Sequence, residues 1–130
     1  MSKSPRISSA EWQVMELVWT ENPVSAGDVA RRLAPQQDWS EATVKTLLSR
    51  LVKKGALKFE REGKRYLYSP DVARQACVRS EAKSFADRVF GGKSSPMLSW
   101  FVEEAPLTDE EIEELQQLLQ RKRGAQGEVK

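Results

Sequence analysis

Residues 38–57, DWSEATVKTLLSRLVKKGAL, constrain the fold most strongly, because they predict one helix with two different faces. Ser40 is a good N-cap, since its hydroxyl can accept a hydrogen bond from a free backbone N–H of the first turn. Gly55 follows the basic last turn, where a left-handed residue is favoured. Five aliphatic side chains fall within an arc of roughly 140° at helical spacing. They are Val44, Leu47, Leu48, Leu51 and Val52.

The opposite face of this helix carries hydroxyl groups and cations, with no carboxylate after Glu41. Ordinary surface helices mix both signs of charge. Short hydroxyls allow close approach to a phosphate backbone, and Arg or Lys can reach base edges or phosphates. The face therefore predicts a recognition helix in a DNA major groove, although a solvated basic face explains this helix equally well when it is taken alone. The candidate DNA contacts are Ser40, Ala42, Thr43, Lys45, Thr46, Ser49, Arg50 and Lys53.

The preceding segment predicts two more helices. Ser9 opens the first, and Asn22-Pro23 ends it. Ser25-x-x-Asp28 resembles a capping box that opens the second. Three helices in this order are the core of a helix-turn-helix module. The apolar residues at helical spacing, which we assign to the core, are Trp12, Met15, Val18, Trp19, Val29, Ala30 and Leu33.

Residues 57–69 predict a β-hairpin directly after the recognition helix. LKFER and RYLYS have strand character, residues 62–64 form a tight turn, and Pro70 stops the second strand. A hairpin in this position is a wing. Its cations could lie along phosphates or in a minor groove, or they could simply keep an exposed hairpin soluble. The candidate wing contacts are Arg61, Lys64 and Arg65.

Residues 71–123 predict a helical dimerisation region. A helical stretch ends at Gly91-Gly92, an apolar segment covers residues 96–102, and Thr108-x-x-Glu111 is a capping box that opens a final helix. Residues 124–130 are predicted to be a flexible tail. A winged helix at residues 7–70 cannot bury this further apolar surface, so a homodimer is favoured over a ligand-binding lobe. The candidate dimer contacts are Phe85, Val89, Phe90, Leu98, Trp100, Phe101, Ile112, Leu115, Leu118 and Leu119.

Charge and composition restrict the function. The net charge is +2, but residues 1–80 carry 14 Lys or Arg against 9 Asp or Glu, whereas residues 81–130 carry 7 against 10. The basic half is the expected polyanion binder. With one cysteine, Cys77, and no histidine, the sequence indicates no disulfide within the chain, no Cys/His metal site, no cofactor and no enzyme. Without a signal peptide or a membrane-length apolar run, a cytoplasmic protein with no membrane partner is expected.

Together these segments resemble the penicillinase repressor family, the BlaI/MecI/CopY-type winged-helix regulators. The resemblance rests on ISSAEWQVMELVW, the residue 38–57 helix, YLYSP, KSFADRVFGG and LTDEEIEELQQLL, and it covers about residues 7–119. It implies a winged-helix dimer that represses promoters by binding an inverted repeat in double-stranded DNA. It also implies operator contacts at Thr43, Lys45, Thr46 and Arg50. The family often has a basic residue where this chain has Ala42.

The same resemblance bears on the inducing signal. Copper-responsive members end in a CxC-type cysteine cluster, which this chain lacks. Members that respond to β-lactams are inactivated by a protease that cuts an Asn-Phe bond in the apolar segment. The aligned pair here is Trp100-Phe101, so this pair is the candidate cleavage site and an inactivating protease is a candidate partner.

The sequence thus predicts a mainly α chain, with an N-terminal winged helix-turn-helix of three helices and a two-stranded wing, followed by a helical dimerisation region. The predicted function is a homodimeric transcriptional repressor that binds an operator with dyad symmetry. The alternative is a winged-helix adaptor that binds proteins and never touches DNA. An adaptor is expected to carry apolar or mixed charges on the recognition face, whereas this chain carries hydroxyls and cations.

Overall fold

The computed structural model describes residues 5–129, with side chains described for residues 5–126. Within residues 5–129, six helices and two strands follow one another along the chain. Contacts divide it into two compact units, one that runs to Phe85 and one that starts at Ala86. The elements are α1 (Ser9–Thr20), α2 (Ala26–Leu33), α3 (Glu41–Lys53), β1 (Leu57–Glu62), β2 (Arg65–Pro70), α4 (Arg74–Phe90), α5 (Ser94–Glu104) and α6 (Asp109–Val129).

The core of the first unit lies between α1, α2 and α3, as the apolar spacing predicted. Each helix turns one aliphatic stripe inward, and Ala56, Leu57 and Cys77 extend the cluster beyond α3. Val52 and Ala30 are only partly buried at its edge. The central side chains of the three helices are Val14, Met15, Val18, Val29, Leu33, Val44, Leu47, Leu48 and Leu51. The predicted tri-helical module is therefore confirmed.

Side-chain caps fix where these helices begin. Ser40 accepts a hydrogen bond from the backbone N–H of Thr43 at 3.1 Å, as predicted. The Ser25 and Asp28 capping box of α2 is also present. In α1 the N-cap is Ser8, one residue before the predicted opening residue, and it forms a capping box with Glu11. Each cap satisfies backbone N–H groups that a helix terminus otherwise leaves unpaired.

The wing is an antiparallel hairpin of β1 and β2, closed by the two-residue turn Gly63-Lys64. Gly63 has a φ of 65°, a conformation that two-residue hairpin turns require and that glycine adopts without strain. Pro70 pairs with Leu57 at the base of the hairpin and is the last residue of β2. A β-bridge between Val24 and Tyr68 attaches β2 to the segment that leads into α2. The wing is thus joined to the helical core at its base.

The first unit includes the start of α4, which lies beyond the predicted domain boundary at residue 70. The indole N–H of Trp19 donates to the carbonyl of Val72 at 2.9 Å. Arg74 binds Glu16 through two hydrogen bonds, of 2.7 Å and 3.3 Å. Cys77 is buried in the core, where it packs as a small apolar residue, as predicted. Burial raises the pKa of the Cys77 thiol, so the reactive thiolate is disfavoured.

The second unit consists of the end of α4 together with α5 and α6. Gly91 and Gly92, with φ of 61° and 80°, end α4 where the sequence predicted. The apolar segment 96–102 lies within helix α5. The capping box of Thr108 and Glu111 opens α6, as predicted.

The end of the last helix lies beyond the predicted boundary. The sequence predicted a flexible tail over residues 124–130, whereas α6 continues to Val129. The helix contains two glycines, Gly124 and Gly127, each of which costs about 1 kcal/mol relative to alanine, and the Arg, Lys, Ala and Gln residues around them favour helix. Lys130 lies outside the described residues. None of the helices in the described part of the chain is long and apolar enough to cross a membrane.

Candidate nucleic-acid interface

Helix α3 turns its hydroxyl and cationic face entirely to solvent. Its aliphatic stripe is buried in the core, which fixes the rotation of the helix and leaves the other face outward. Every residue that the sequence assigned to DNA contact on this helix is exposed. These residues are Ser40, Ala42, Thr43, Lys45, Thr46, Ser49, Arg50 and Lys53. The structure therefore brings the eight positions together on one surface, which we call the recognition face.

Three hydroxyls of the recognition face take part in local hydrogen bonds. The Thr46 hydroxyl donates to the carbonyl of Ala42 at 3.1 Å. The hydroxyls of Ser40 and Thr43 lie 3.1 Å apart, within hydrogen-bonding distance. A hydroxyl that donates once keeps its lone pairs, so the Thr46 oxygen can still accept a hydrogen bond from a base amine. The first turn of α3 therefore presents fixed rather than freely rotating polar groups.

The cations of the recognition face differ in how they are engaged. Lys45 lies 3.4 Å from the Glu41 carboxylate, and both side chains are well exposed. Such a surface pair is worth little and can rearrange around a ligand. Arg50 and Lys53 have no hydrogen-bond or ion-pair partner among the described residues. Both are exposed. They are the cations of α3 that can reach a ligand without giving up an existing contact.

The wing adds a second set of exposed cations. Arg61 donates from Nε to the carbonyl of Gly63 at 3.2 Å, which holds its guanidinium against the turn. Arg65 lies 3.5 Å from the Glu62 carboxylate. Lys64 occupies the turn itself, and within the described chain it has no polar partner. All three predicted wing residues are exposed, and Lys64 can reach a DNA phosphate without giving up a polar contact to another described residue.

An ion pair anchors the far end of α3 to α1. Lys54, the C-cap residue of α3, donates from Nζ to the Glu11 carboxylate at 2.5 Å and to the carbonyl of Arg6 at 2.8 Å. Glu11 is only 2% exposed and also belongs to the α1 capping box. Burial by itself raises the pKa of Glu11, but hydrogen bonds from Lys54 and Ser8 outweigh burial and lower it. The carboxylate is therefore charged at neutral pH and fixes the end of the recognition helix.

The sequence did not reveal this anchor. Glu11 and Lys54 are separated by 43 residues, and surface helices commonly carry both residue types. The Ser8-x-x-Glu11 spacing is a capping-box pattern and could have located the buried carboxylate. No local pattern points to Lys54 as its partner, since that contact depends on how α1 and α3 cross.

The second unit exposes apolar side chains along α5 and α6. No residue of α5 is buried, and the Ile/Leu stripe of α6 lies in solvent. Trp100 is 53% exposed and Leu119 65% exposed. The other exposed residues of the predicted dimer surface are Val89, Leu98, Phe101, Ile112, Leu115 and Leu118. Phe85 and Phe90, also predicted dimer contacts, are partly buried. Large exposed apolar side chains on two successive helices are of the kind found at interaction sites.

The Trp100-Phe101 pair lies inside helix α5. Its two rings pack edge to face with centroids 5.3 Å apart. A peptide bond in the interior of a helix becomes accessible to a protease only through local unfolding. No residue of α5 is buried within the described chain. Local unfolding of α5 in a single chain therefore costs little free energy, because few apolar contacts are lost.

This protein is a winged helix-turn-helix protein. Its first unit has three helices followed by a two-stranded wing, and the third helix exposes a basic face. The chain belongs to the penicillinase repressor family, which matches residues 7–121. It is 36% identical over 120 residues to the penicillinase repressor of Bacillus licheniformis, covering 92% of this chain and 94% of that protein. It is 35% identical over 121 residues to the methicillin resistance regulatory protein MecI of Staphylococcus aureus (strain N315). This match covers 93% of this chain and 98% of that protein.

Solved structures agree with the fold of the first unit. The DNA-binding domain of the repressor BlaI superposes with a TM-score of 0.52 at 37% identity, covering 58% of this chain and 93% of that one. Bacillus licheniformis BlaI was solved as a monomeric form in complex with the blaP half-operator. It superposes with a TM-score of 0.51 at 37% identity, covering 58% of this chain and 93% of that one. The expected resemblance to this family and the predicted fold are both confirmed.

Proposed function

We propose that this protein is a transcriptional repressor that binds double-stranded DNA through the recognition face of α3 and the basic wing. The observation that supports this most strongly is the recognition face, where hydroxyls and cations are exposed on a helix whose aliphatic stripe packs into the core. A major groove about 12 Å wide admits a helix presented in this way. Membership of the penicillinase repressor family supports the proposal.

The residues divide into two roles in this proposal. Thr43, Thr46 and Arg50 face the groove and read base edges, with Arg50 suited to a bidentate contact with guanine. Lys53 and the wing cations contact phosphates, which adds affinity without sequence preference. Ala42 carries no polar group, so at that position the chain makes at most an apolar contact, as with a thymine methyl.

The repressor acts as a homodimer on an operator with dyad symmetry. The exposed apolar side chains of α5 and α6 supply a surface of the kind that dimers bury, and a second copy is the economical partner for it. The relative BlaI was solved as a monomer on a half-operator, which supports one winged-helix unit per half-site. When one winged-helix unit of a dimer is bound, the other unit is held near its own half-site at an effective concentration in the millimolar range. The dimer therefore binds the operator far more tightly than a single unit does.

Repression is relieved in this proposal by cutting within residues 97–102 of α5. The cut separates α6, with its Ile/Leu stripe, from the winged helix and so removes apolar surface from the dimer. The winged-helix core stays intact, because its buried cluster ends at Cys77. A protease acting at Trp100-Phe101 must accept an aromatic residue on each side of the bond it cuts.

Footprinting tests the proposal on the DNA upstream of the protein's own gene. We expect protection of a region with dyad symmetry, by two chains for each site. The matched control is the double variant Ser49→Glu and Arg50→Glu, which reverses the charge of the recognition face at two exposed positions outside the core. It is expected to fold and to give no protection. A folded wild-type chain that protects no DNA, or a control that protects as well as the wild type, would contradict the assignment.

A further inference from the structure

A cleft of about 390 Å³ opens between the start of α2, the start of α3 and the wing. The β-bridge between Val24 and Tyr68 creates it, because this bridge holds strand β2 beside the segment that enters α2. In this bridge the Val24 backbone N–H donates to the Tyr68 carbonyl at 3.0 Å, and the Tyr68 N–H donates to the Val24 carbonyl at 2.7 Å. Because a water molecule occupies about 30 Å³ of liquid, a cleft of this size has room for a phosphate group and its bridging waters.

The charges around the cleft favour an anion. Lys45 of α3 and Lys64 and Arg65 of the wing line it, against one carboxylate, Glu41. Lys45 lies 3.4 Å from Glu41, an exposed pair that solvent screens and that can rearrange. Lys64 has no polar partner among the residues that the structure describes. Cations from two separate elements therefore converge on a space that no side chain of the described residues fills.

Gly27 lies on the wall of this cleft, and neither the backbone nor the packing requires glycine there. Its φ is not in the left-handed region. A Cβ at this position would meet its nearest atoms, on Arg31, Glu41 and Ser25, at 3.8–3.9 Å, which is ordinary contact. Glycine inside a helix nevertheless destabilises it relative to alanine. The absence of a side chain at Gly27 therefore leaves the backbone of α2 uncovered at the wall of the cleft.

We propose that this cleft seats one phosphate of the DNA backbone, and that Gly27 permits the close approach while Lys45, Lys64 and Arg65 neutralise the charge. The inference rests on the proposed DNA binding and extends it by adding the start of α2 to the contacts that the recognition face and the wing make. Lys45 belongs to both the recognition face and the cleft, so a duplex lying along α3 passes the mouth of the cleft. A phosphate held there fixes how far the duplex can slide along α3 without reading its sequence.

The test compares Gly27→Ala with the wild-type full-length chain on an operator duplex and on a random duplex. We expect about a tenfold loss of affinity on both, the size of one charge-assisted backbone contact, with thermal stability unchanged or raised. The matched control is Gly124→Ala, another helical glycine whose added Cβ meets nothing within 4 Å. It lies outside the cleft and should leave the affinity unchanged.

A methylphosphonate scan of the operator identifies the phosphate. Neutralising one particular phosphate should weaken wild-type binding and have a much smaller effect on Gly27→Ala, since the two changes remove the same contact. Inorganic phosphate alone, titrated into the wild-type chain without DNA, should not bind measurably. Measurable binding of free phosphate, together with a duplex in which no phosphate is coupled to Gly27, would reassign the cleft to a free anion and overturn the DNA contact.

The outcomes separate this inference from the function on which it rests. A wild-type chain without affinity for any duplex would refute the DNA-binding proposal. A wild-type chain that binds, with Gly27→Ala within twofold of it and no phosphate coupled to Gly27 in the scan, would refute the phosphate seat alone.

Discussion

Replacement of Glu11 by alanine should destabilise the winged-helix unit strongly, although Glu11 lies far from the recognition face in sequence. Its carboxylate accepts from the Ser8 backbone at 2.9 Å and from Lys54 at 2.5 Å while almost wholly buried. Loss of a helix cap costs about 1 kcal/mol. Removing one partner of a buried ion pair costs about 3–5 kcal/mol.

The expected loss of unfolding free energy is smaller than the sum of these two costs. Lys54 is about one-third exposed and keeps the Arg6 carbonyl as a partner, so it is not left fully unpaired. We therefore expect Glu11→Ala to lower the free energy of unfolding by about 2–4 kcal/mol. Glu11→Gln is the matched control, because a glutamine can still accept in a capping box but carries no charge. Glu11→Gln should lower the free energy of unfolding by about half as much as Glu11→Ala.

Urea unfolding followed by tryptophan fluorescence measures both changes. Three of the four tryptophans, Trp12, Trp19 and Trp39, lie in the first unit, so a Trp100→Phe background makes the signal specific for it. Because the pKa of Glu11 is lowered on folding, its contribution should be complete above pH of about 4.3 and disappear as the pH falls through the folded pKa. Equal losses for the two variants, or a loss below about 0.5 kcal/mol for alanine, would refute this account.

Four further predictions concern DNA binding and assembly. Arg50→Ala and Thr46→Ala should each weaken operator binding by about 1–3 kcal/mol while changing random-DNA binding less, and equal losses on both duplexes in a binding titration would reassign them to backbone contacts. Lys64→Ala should weaken both duplexes alike and reduce the salt slope by about 1, whereas a loss confined to the operator would contradict a phosphate role. A designed protease site after Ser99 should, once cut, yield monomers with operator affinity near that for random DNA, and unchanged affinity with intact dimers in sedimentation would exclude control through α5. A fragment that ends at Phe85 should fold as a monomer, and a dimeric fragment would overturn the assignment of α5 and α6 to the dimer contact.

Local patterns predicted the winged helix well. The aliphatic stripe of α3, its Ser40 cap and the hairpin after Leu57 each depend on residues close in sequence, and the structure confirms them. The exposure of the recognition face followed from the same stripe, because burying one side of a helix turns the other outward. These features needed no knowledge of how distant segments meet.

Features that depend on distant contacts were not predictable in this way. The attachment of α4 to the first unit uses Trp19 with Val72 and Glu16 with Arg74, pairs separated by 53 and 58 residues. The cleft beside Gly27 exists only because Val24 pairs with Tyr68. The end of α6 differs from the prediction for a different reason, since the helix formers after Arg123 extend the helix into the predicted tail.

The affinity of the full-length chain for its own upstream DNA, measured by fluorescence anisotropy from 50 mM to 200 mM salt, tests the central claim most directly. A repressor of the proposed kind should prefer a dyad-symmetric operator over random DNA by at least about a thousandfold. Its affinity for both duplexes should fall steeply and linearly on logarithmic axes as salt increases, because cations of α3 and the wing displace counterions. A chain that binds both duplexes equally at every salt concentration, or binds neither, would contradict the claim that its exposed basic helix reads DNA.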